Sequence, residues 1–350
     1  MFHVKQFSSD KILAHTDRIS EWVRDGITKP ITYELDMTNI CNHKCPMCFG
    51  FKEKSKATLS HEQTISILEQ IKDCGGKAVT FTGGGESFCC KYTPELIEYA
   101  SALGLDVGVI TNGSIMNERI AVAVMGSVLW VRVSLDAGSP KGYLKSHGMG
   151  ELDFRRTVEN IKYLVKMKKL TGFRTTVGLG YLTPSDFEDM RRFVIMGKNL
   201  GVDYVQFRPY LPSFDVKDIE HDTGESVQFI ERLCQEYSEG DFKVLYSQHK
   251  YDNIKNDTVK RPYGKCYGHH FATTICADGK MYLCCHMRGV GKYCLGDLSK
   301  NSLKEIWESG QRRKVYEAID FRDCPSLCRC DTFNVILWNI KQKKEHVNFL

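Results

Sequence analysis

Apolar residues occur along this chain in two alternating rhythms. Short blocks rich in β-branched and aromatic side chains lie at 31–37, 78–82, 107–111, 128–135, 175–182 and 204–208, and they read as strands. Between them, His61 to Cys74, Thr93 to Leu103, Phe154 to Leu170 and Ser185 to Leu200 carry apolar residues at helical spacing. Six strand-then-helix units predict an α/β fold on a parallel sheet with right-handed crossovers. Periodicity alone leaves open whether that sheet closes. A helical lead-in, Lys11 to Arg24, precedes the first strand and is stopped by Gly26 and Pro30. From about Ser213 to Val259 the chain turns polar and charged, with one helix-like stretch near Ser226 to Tyr237, and reads as a bridge. From Arg261 onward cysteines become dense and a second module begins. The expected units are therefore 1–30, an α/β core at 31–212, a bridge at 213–260 and a module at 261–350.

With 350 residues, 42% of them apolar, the chain can bury one large core beside a smaller one. The net charge of +5 is spread thinly, apart from short clusters such as Arg312-Arg313-Lys314 and Lys341 to Lys344. Those read as solvated helix faces, so no nucleic-acid partner is expected. The longest nearly apolar run, Ile120 to Val131, is broken by Gly126 and Ser127 and is too short to span a bilayer. The start, Met1-Phe2-His3-Val4-Lys5, lacks the basic-then-apolar order of a secretory signal, and no membrane contact is expected. Fifteen widely separated cysteines without such a signal argue against a disulfide framework. These features fit a cytoplasmic, oxygen-sensitive enzyme.

The chemistry concentrates in Cys41-Asn42-His43-Lys44-Cys45-Pro46-Met47-Cys48, directly after the first strand. Three thiolates on one loop can hold three irons of a 4Fe–4S cube and leave the fourth iron open to a small molecule. Zinc is the competing reading, but structural zinc wants four ligands, often in paired knuckles. Here His43 sits between the first two cysteines and no second knuckle lies nearby. The second strand ends in Thr82-Gly83-Gly84-Gly85-Glu86-Ser87. Glycines there let backbone approach a ligand closely, and the carboxylate can accept from an ammonium group; a plain tight turn would use the same glycines.

Together the two motifs resemble the radical S-adenosylmethionine (radical SAM) superfamily. The resemblance implies a partial (β/α)6 barrel with reactive groups at the C-terminal ends of its strands. It implies a 4Fe–4S cluster on Cys41, Cys45 and Cys48, whose open iron chelates the amino and carboxylate groups of S-adenosylmethionine. Gly84, Gly85 and Glu86 would then receive the amino group of the methionine moiety. Asn112, after strand three, and Ser134, at the end of strand four, stand where relatives contact the ribose and the carboxylate; Asn112 equally suits a turn. Relatives often place an arginine after strand four. Here the stretch reads Tyr143-Leu144-Lys145-Ser146-His147, and Lys145 is the expected substitute. Met47 occupies the place of the family's usual aromatic over the adenine. Arg208, in Phe207-Arg208-Pro209-Tyr210, has two open readings as a site residue, binding an anionic substrate group or a neighbouring carboxylate.

The module that follows resembles the SPASM/twitch family. Cys266, twelve residues, Gly279, four residues and Cys284 match its opening. Asp278-Gly279 reads as a hairpin turn that returns Cys284 toward the start of the module. Cys324-Pro325-Ser326-Leu327-Cys328-Arg329-Cys330 can complete the four ligands of one auxiliary 4Fe–4S cluster, as in the one-cluster twitch form; a zinc ribbon is the competing reading. Cys324 and Cys328 are the expected pair, one helical turn apart, with Cys330 as substitute. Cys276, Cys285 and Cys294 are left over, and Cys89 and Cys90 flank the Gly-Gly-Glu loop. Such cysteines are usually small buried apolar residues, though one near a radical could donate a hydrogen atom. Gly296-Asp297-Leu298, Leu303 to Trp307 and the tail Phe333 to Ile340 read as packing.

The resemblance implies an enzyme that takes an electron from a reductant such as flavodoxin or ferredoxin, cleaves S-adenosylmethionine to a 5′-deoxyadenosyl radical, and abstracts a substrate hydrogen atom. Twitch relatives act on aminocyclitols, sugars and nucleosides, so a small-molecule dehydrogenation, epimerisation or radical decarboxylation is expected first. Peptide modification is the alternative. Peptide maturases commonly carry an added N-terminal leader-binding domain, and only forty residues precede Cys41. A non-catalytic electron carrier would have no use for the Gly-Gly-Glu loop.

Overall fold

The structure is a computed structural model and describes residues 8–46, 48, 55–183, 186–210, 225–255, 261–325, 328–346 and 348. It begins with helix α1 (Thr16–Asp25), then strand β1 (Thr32–Asp36) and α2 (His61–Asp73). The alternation continues with β2 (Ala78–Thr82), α3 (Thr93–Ala102), β3 (Asp106–Thr111), α4 (Glu118–Ser127) and β4 (Trp130–Ser134). Two helices, α5 (Pro140–His147) and α6 (Glu151–Thr171), lead to β5 (Thr176–Thr183), followed by α7 (Phe187–Leu200) and β6 (Tyr204–Pro209). Next come α8 (Glu225–Tyr237), β7 (Lys243–Tyr246) and α9 (Gln248–Lys255). The last part holds β8 (Ala272–Ile275), β9 (Lys280–Tyr282), β10 (Cys294–Asp297), α10 (Leu303–Glu308), α11 (Gly310–Glu317) and α12 (Asp331–Lys341).

All six expected strands form, and their pairing is parallel from β1 to β6. Alternation along each strand sorts the faces. On β1, Tyr33 and Leu35 are fully buried in the main core with Leu68 and Ile71 of α2, while Glu34 and Asp36 take the other face. On β4, Val131 and Val133 go to the core and Trp130, Arg132 and Ser134 to the opposite side. Toward the N-terminal ends of the strands, glycines leave room for rings. A Cβ on Gly108 would lie 2.3 Å from the Trp130 ring, and one on Gly178 2.0 Å from the Tyr204 ring.

Three features differ from the sequence reading. The polar stretch read as a bridge supplies β7, which pairs in parallel with β6 and extends the sheet; four residues amid charges were too few to show an alternation. Helices α4 and α5 were not anticipated. Asn117 caps α4 by accepting from Ile120 N, but its all-apolar body shows no stripe; α5 is short and contains Gly142. Arg312, placed on a solvated face, is 4% exposed. Its guanidinium lies 3.9 Å from the Trp307 ring centre and donates to His270 Nδ1 at 2.9 Å.

The C-terminal part continues the same sheet, in the order β10-β9-β8-β1-β2-β3-β4-β5-β6-β7. β8 runs parallel to β1, and β9 and β10 add antiparallel strands beyond it. The lead-in packs here too, with Ile19 and Trp22 of α1 in one apolar cluster with Phe271 and Leu337. Charge completes the join. Arg288 pairs with Glu34 at 2.5 Å and with Asp36 at 2.8 Å, and Arg329 also pairs with Glu34. Burial raises the Glu34 carboxyl, but Arg329, Arg288 and His286 outweigh it and hold the group below its ordinary value. Asp36, with burial the larger effect, is raised. Glu34→Ala is expected to cost about 3 kcal/mol, because it leaves Arg329 without this partner and Arg288 with Asp36 alone. Denaturant midpoints of wild type and variant check this; an unchanged midpoint would show that the pairs do not hold the module.

Candidate active site

The loop that leaves β1 is held from three directions. Gly85 N donates to Thr38 O at 2.9 Å and Glu86 N to Ile40 O at 3.0 Å, which lays the Gly-rich loop beside the approach to Cys41. A Cβ on Gly85 would lie 2.2 Å from Ile40 O, so no larger residue allows this approach. From β3, Asn112 Nδ2 donates to Asn42 Oδ1 at 2.9 Å, and Asn42 Nδ2 donates to Ser114 Oγ at 2.7 Å. From α5, His147 Nδ1 lies 3.3 Å from Cys45 Sγ and 3.2 Å from His43 Nδ1. His147 Nε2 lies 3.1 Å from Leu135 O. With Nε2–H donating to that carbonyl, a neutral His147 presents its Nδ1 lone pair to the Nδ1–H of His43. Burial pushes both imidazoles down to about 4, and in His43 the neighbouring His147 adds to the effect.

The three loop thiols are charge neighbours of one another. Burial pushes Cys45 up to about 12, followed by the influence of Cys48 and Cys41. Burial is also the main cause that lifts Cys41 to about 11, against a bond from His43 N, with Glu86, Cys89 and Cys48 adding to the rise. A set of soft donors kept protonated by burial and mutual repulsion is suited to exchanging protons for metal. A second grouping overlaps it, since donor atoms of His43, Cys45 and His147 lie within 4.8 Å of one another. It supplies three ligands where structural zinc wants four, and it shares Cys45 with the iron set.

Glu86 is buried and already engaged. Its carboxylate accepts from Thr111 Oγ1 at 2.7 Å, Asn112 N at 2.7 Å and Phe88 N at 3.2 Å, and burial raises its pKa despite these donors. Its role in the structure is to pin the Gly-rich loop to the end of β3. Gly84 beside it is half-buried. Asn112 likewise clasps the cysteine loop, which reveals Asn42 as a site residue that the motif reading passed over. Ser134 ends β4 half-buried. Lys145 is exposed on α5, and His147, two residues on, is the buried group that meets Cys45. Met47 lies outside the described residues.

Asp136 follows Ser134 with φ 46°. Its Oδ2 is 3.8 Å from His147 Nε2 and its Oδ1 has no partner. Burial raises its carboxyl to about 6, against the pull of Arg208 and Arg132. Arg208 and Arg132 of β4 are thus charge neighbours of this carboxylate without an ion pair to it, and no motif announces Arg132.

A second thiol group gathers at the C-terminal part. Cys266, Cys284 and Cys324 each sense Cys328 as a charge neighbour, and burial is the first cause that raises all three. Cys330 bonds through its thiol to Cys328, and Cys330 N lies 3.4 Å from Cys328 Sγ. That bond is the main cause holding Cys328 down, at about 6. Cys324, Cys328 and Cys330 thus stand together with the hairpin pair. Cys285 neighbours Cys284 and also senses Arg329, Glu34 and His286, and Cys276 senses Asp36.

Residues 35–194 match the family model of the Radical SAM superfamily, and residues 266–331 match SPASM, an iron–sulfur cluster-binding domain. A 103-residue segment, 28% of the chain, is 34% identical to an S-adenosylmethionine-dependent nucleotide dehydratase of Flammeovirga pacifica and covers 35% of it. The chain thus spans about a third of that relative's length. Over 85 residues, 24% of the chain, it is 36% identical to the sporulation killing factor maturation protein SkfB of Bacillus subtilis, covering 20% of that protein. In fold the chain resembles Streptococcus suis SuiB bound to S-adenosylmethionine, with TM-score 0.71 and 14% identity over 96% of this chain and 80% of that one. No helix among the described residues is long and apolar enough to cross a membrane.

The raised carboxyl of Asp136 gives a pH signature. A carboxyl raised by folding stabilises the fold below its unfolded value near 4 and loses that contribution as pH rises through about 6. Asp136→Asn, which keeps a residue tolerant of positive φ, is expected to gain about 2 kcal/mol on wild type between pH 4 and pH 7. Urea midpoints across that range check this; a constant difference would show that Asp136 ionises normally.

Proposed function

Because the chain belongs to the radical SAM superfamily and carries a C-terminal SPASM iron–sulfur domain, we propose that it abstracts a hydrogen atom from a carbohydrate, aminocyclitol or nucleoside carbon. Dehydrogenation, epimerisation and radical decarboxylation are the outcomes open to it. The observation that carries the reading is the loop of Cys41, Cys45 and Cys48, clasped from β2, β3 and α5 above a strand face lined by Arg132, Gln206 and Arg208. Those three thiols would hold the 4Fe–4S cluster. Cys266, Cys284, Cys324 and Cys328 would hold one auxiliary cluster, with Cys330 as the alternate ligand. When bound, cluster and S-adenosylmethionine supply the one-electron cleavage and the hydrogen-abstracting radical.

The chain's own residues supply placement. Backbone at Gly84 and Gly85 is open to a ligand's amino group, while Asn42, Asn112 and Ser114 fix the cysteine loop relative to β3. Ser134 and Asp136 offer polar groups at the end of β4. The buried histidine pair fills the space behind Cys45 and keeps water from it. The segmental identity to a nucleotide dehydratase supports a small polar substrate. The comparable identity to a maturation protein supports the second reading, peptide modification.

Anaerobic reconstitution followed by dithionite should give about eight irons and release of 5′-deoxyadenosine. Cys41→Ala is expected to keep about four irons and lose that release altogether. Cys284→Ala should also keep about four, and should retain the release in the absence of substrate. Release surviving in Cys41→Ala would overturn the proposed cluster ligands. Release stimulated by peptides but by no sugar or nucleoside would move the assignment to the second reading.

A further inference from the structure

Among the described residues, Arg132 and Arg208 on the inner strand face and Lys250 of α9 are charge neighbours with little carboxylate to balance them. Arg132 of β4 and Arg208 of β6 flank Gly180 of β5, where a Cβ would lie 3.2 Å from Arg208 Nη2 and 3.7 Å from Arg132 Cδ. The two arms therefore converge over bare backbone. Neither guanidinium makes a hydrogen bond or ion pair with a described residue, and the Nε of each is enclosed and unpartnered. Burial and the neighbouring Arg208 hold Arg132 down to about 10. Lys250 of α9 adds its ammonium, within charge reach of Arg208 and Arg132 on one side and of Cys285 and Cys328 on the other. Of the carboxylates that these arginines sense, Glu34 is claimed by Arg288 and Arg329. Among the described residues, Asp136 is then the carboxylate left to offset three positive charges.

We propose that Arg132, Arg208 and Lys250 form the subsite for a phosphoryl group, so that the substrate is a phosphate or diphosphate ester. The assignment rests on the reaction class proposed above and narrows its substrate. Two unengaged guanidiniums present planar forks that match phosphate oxygens two at a time, and the ammonium adds a point charge. With Asp136 ionised, the excess is about two positive charges, which suits a dianion better than a single carboxylate. Position separates the subsite from the cofactor's amino acid end. The Gly-rich loop follows β2, whereas the two arginines sit on β4 and β6, and Lys250 of α9 has Cys285 and Cys328 as charge neighbours.

The test is calorimetric titration of inorganic pyrophosphate into the anaerobically reconstituted full-length protein, with S-adenosylmethionine affinity and 5′-deoxyadenosine release read on the same samples. Saturable binding is expected, weakened about ten-fold or more in Arg132→Gln and in Arg208→Gln. Arg132→Lys should recover part of the loss, and S-adenosylmethionine affinity should hold. Lys250→Gln, outside the strands, should show a parallel loss and decides the matter if an arginine variant fails to load iron. No saturable binding by a protein that still releases 5′-deoxyadenosine overturns the subsite and leaves the reaction class standing. Equal loss of pyrophosphate and S-adenosylmethionine affinity overturns it too, by giving the arginines to the cofactor's carboxylate. Pyrophosphate bound without any 5′-deoxyadenosine release would support the subsite and strike the reaction class instead.

Discussion

Everything in this molecule hangs from β1. It pairs in parallel with β2 of the core on one side and with β8 of the C-terminal part on the other. The cysteine loop leaves from its end, and its inward carboxylates take Arg288 and Arg329 from segments more than 250 residues away. Breaking an enclosed pair is costly because the surviving charge cannot be resolvated, while forming it adds less than its Coulomb energy. Such a network therefore acts more as a register pin than as a source of stability. Here it fixes how the second thiol group sits relative to the first.

The same economy of position governs the cysteine loop. A loop of three thiols has little structure of its own, and its neighbours supply it. Asn112 donates to Asn42 and Asn42 to Ser114, Gly85 lets one backbone lie against another, and Glu86 ties that backbone to β3. The side chains named by the motif are thus divided between those free to meet a ligand and those that hold the frame. Glu86 and Asn112 belong mainly to the frame.

Much of this was legible in the sequence because it is local. Each strand of the core is a compact apolar block, and each cysteine of the loop lies within a few residues of the next. The hairpin of β8 and β9 was readable from Asp278-Gly279. What escaped is what only folding brings together. Arg132 reads as an ordinary polar position alternating with Val131 and Val133, and nothing in one dimension sets it beside Arg208. Glu34 and Asp36 did leave a trace, two acids two apart in a strand otherwise buried, but their partners lie at the far end of the chain. Lys145 was chosen by charge type, whereas the helix turns His147 inward and leaves Lys145 in solvent.

The rings over the floor glycines carry a consequence for how such chains can diverge. Trp130 fills the space above Gly108, and Tyr204 the space above Gly178, so each glycine and its ring behave as one unit of volume. A descendant that acquires a side chain at 108 must surrender the indole at 130, and one that does so at 178 must surrender the phenol at 204. Across a lineage these two pairs should therefore change together or not at all. The packing toward the N-terminal ends of the strands would then be inherited in two discrete steps rather than drifting residue by residue.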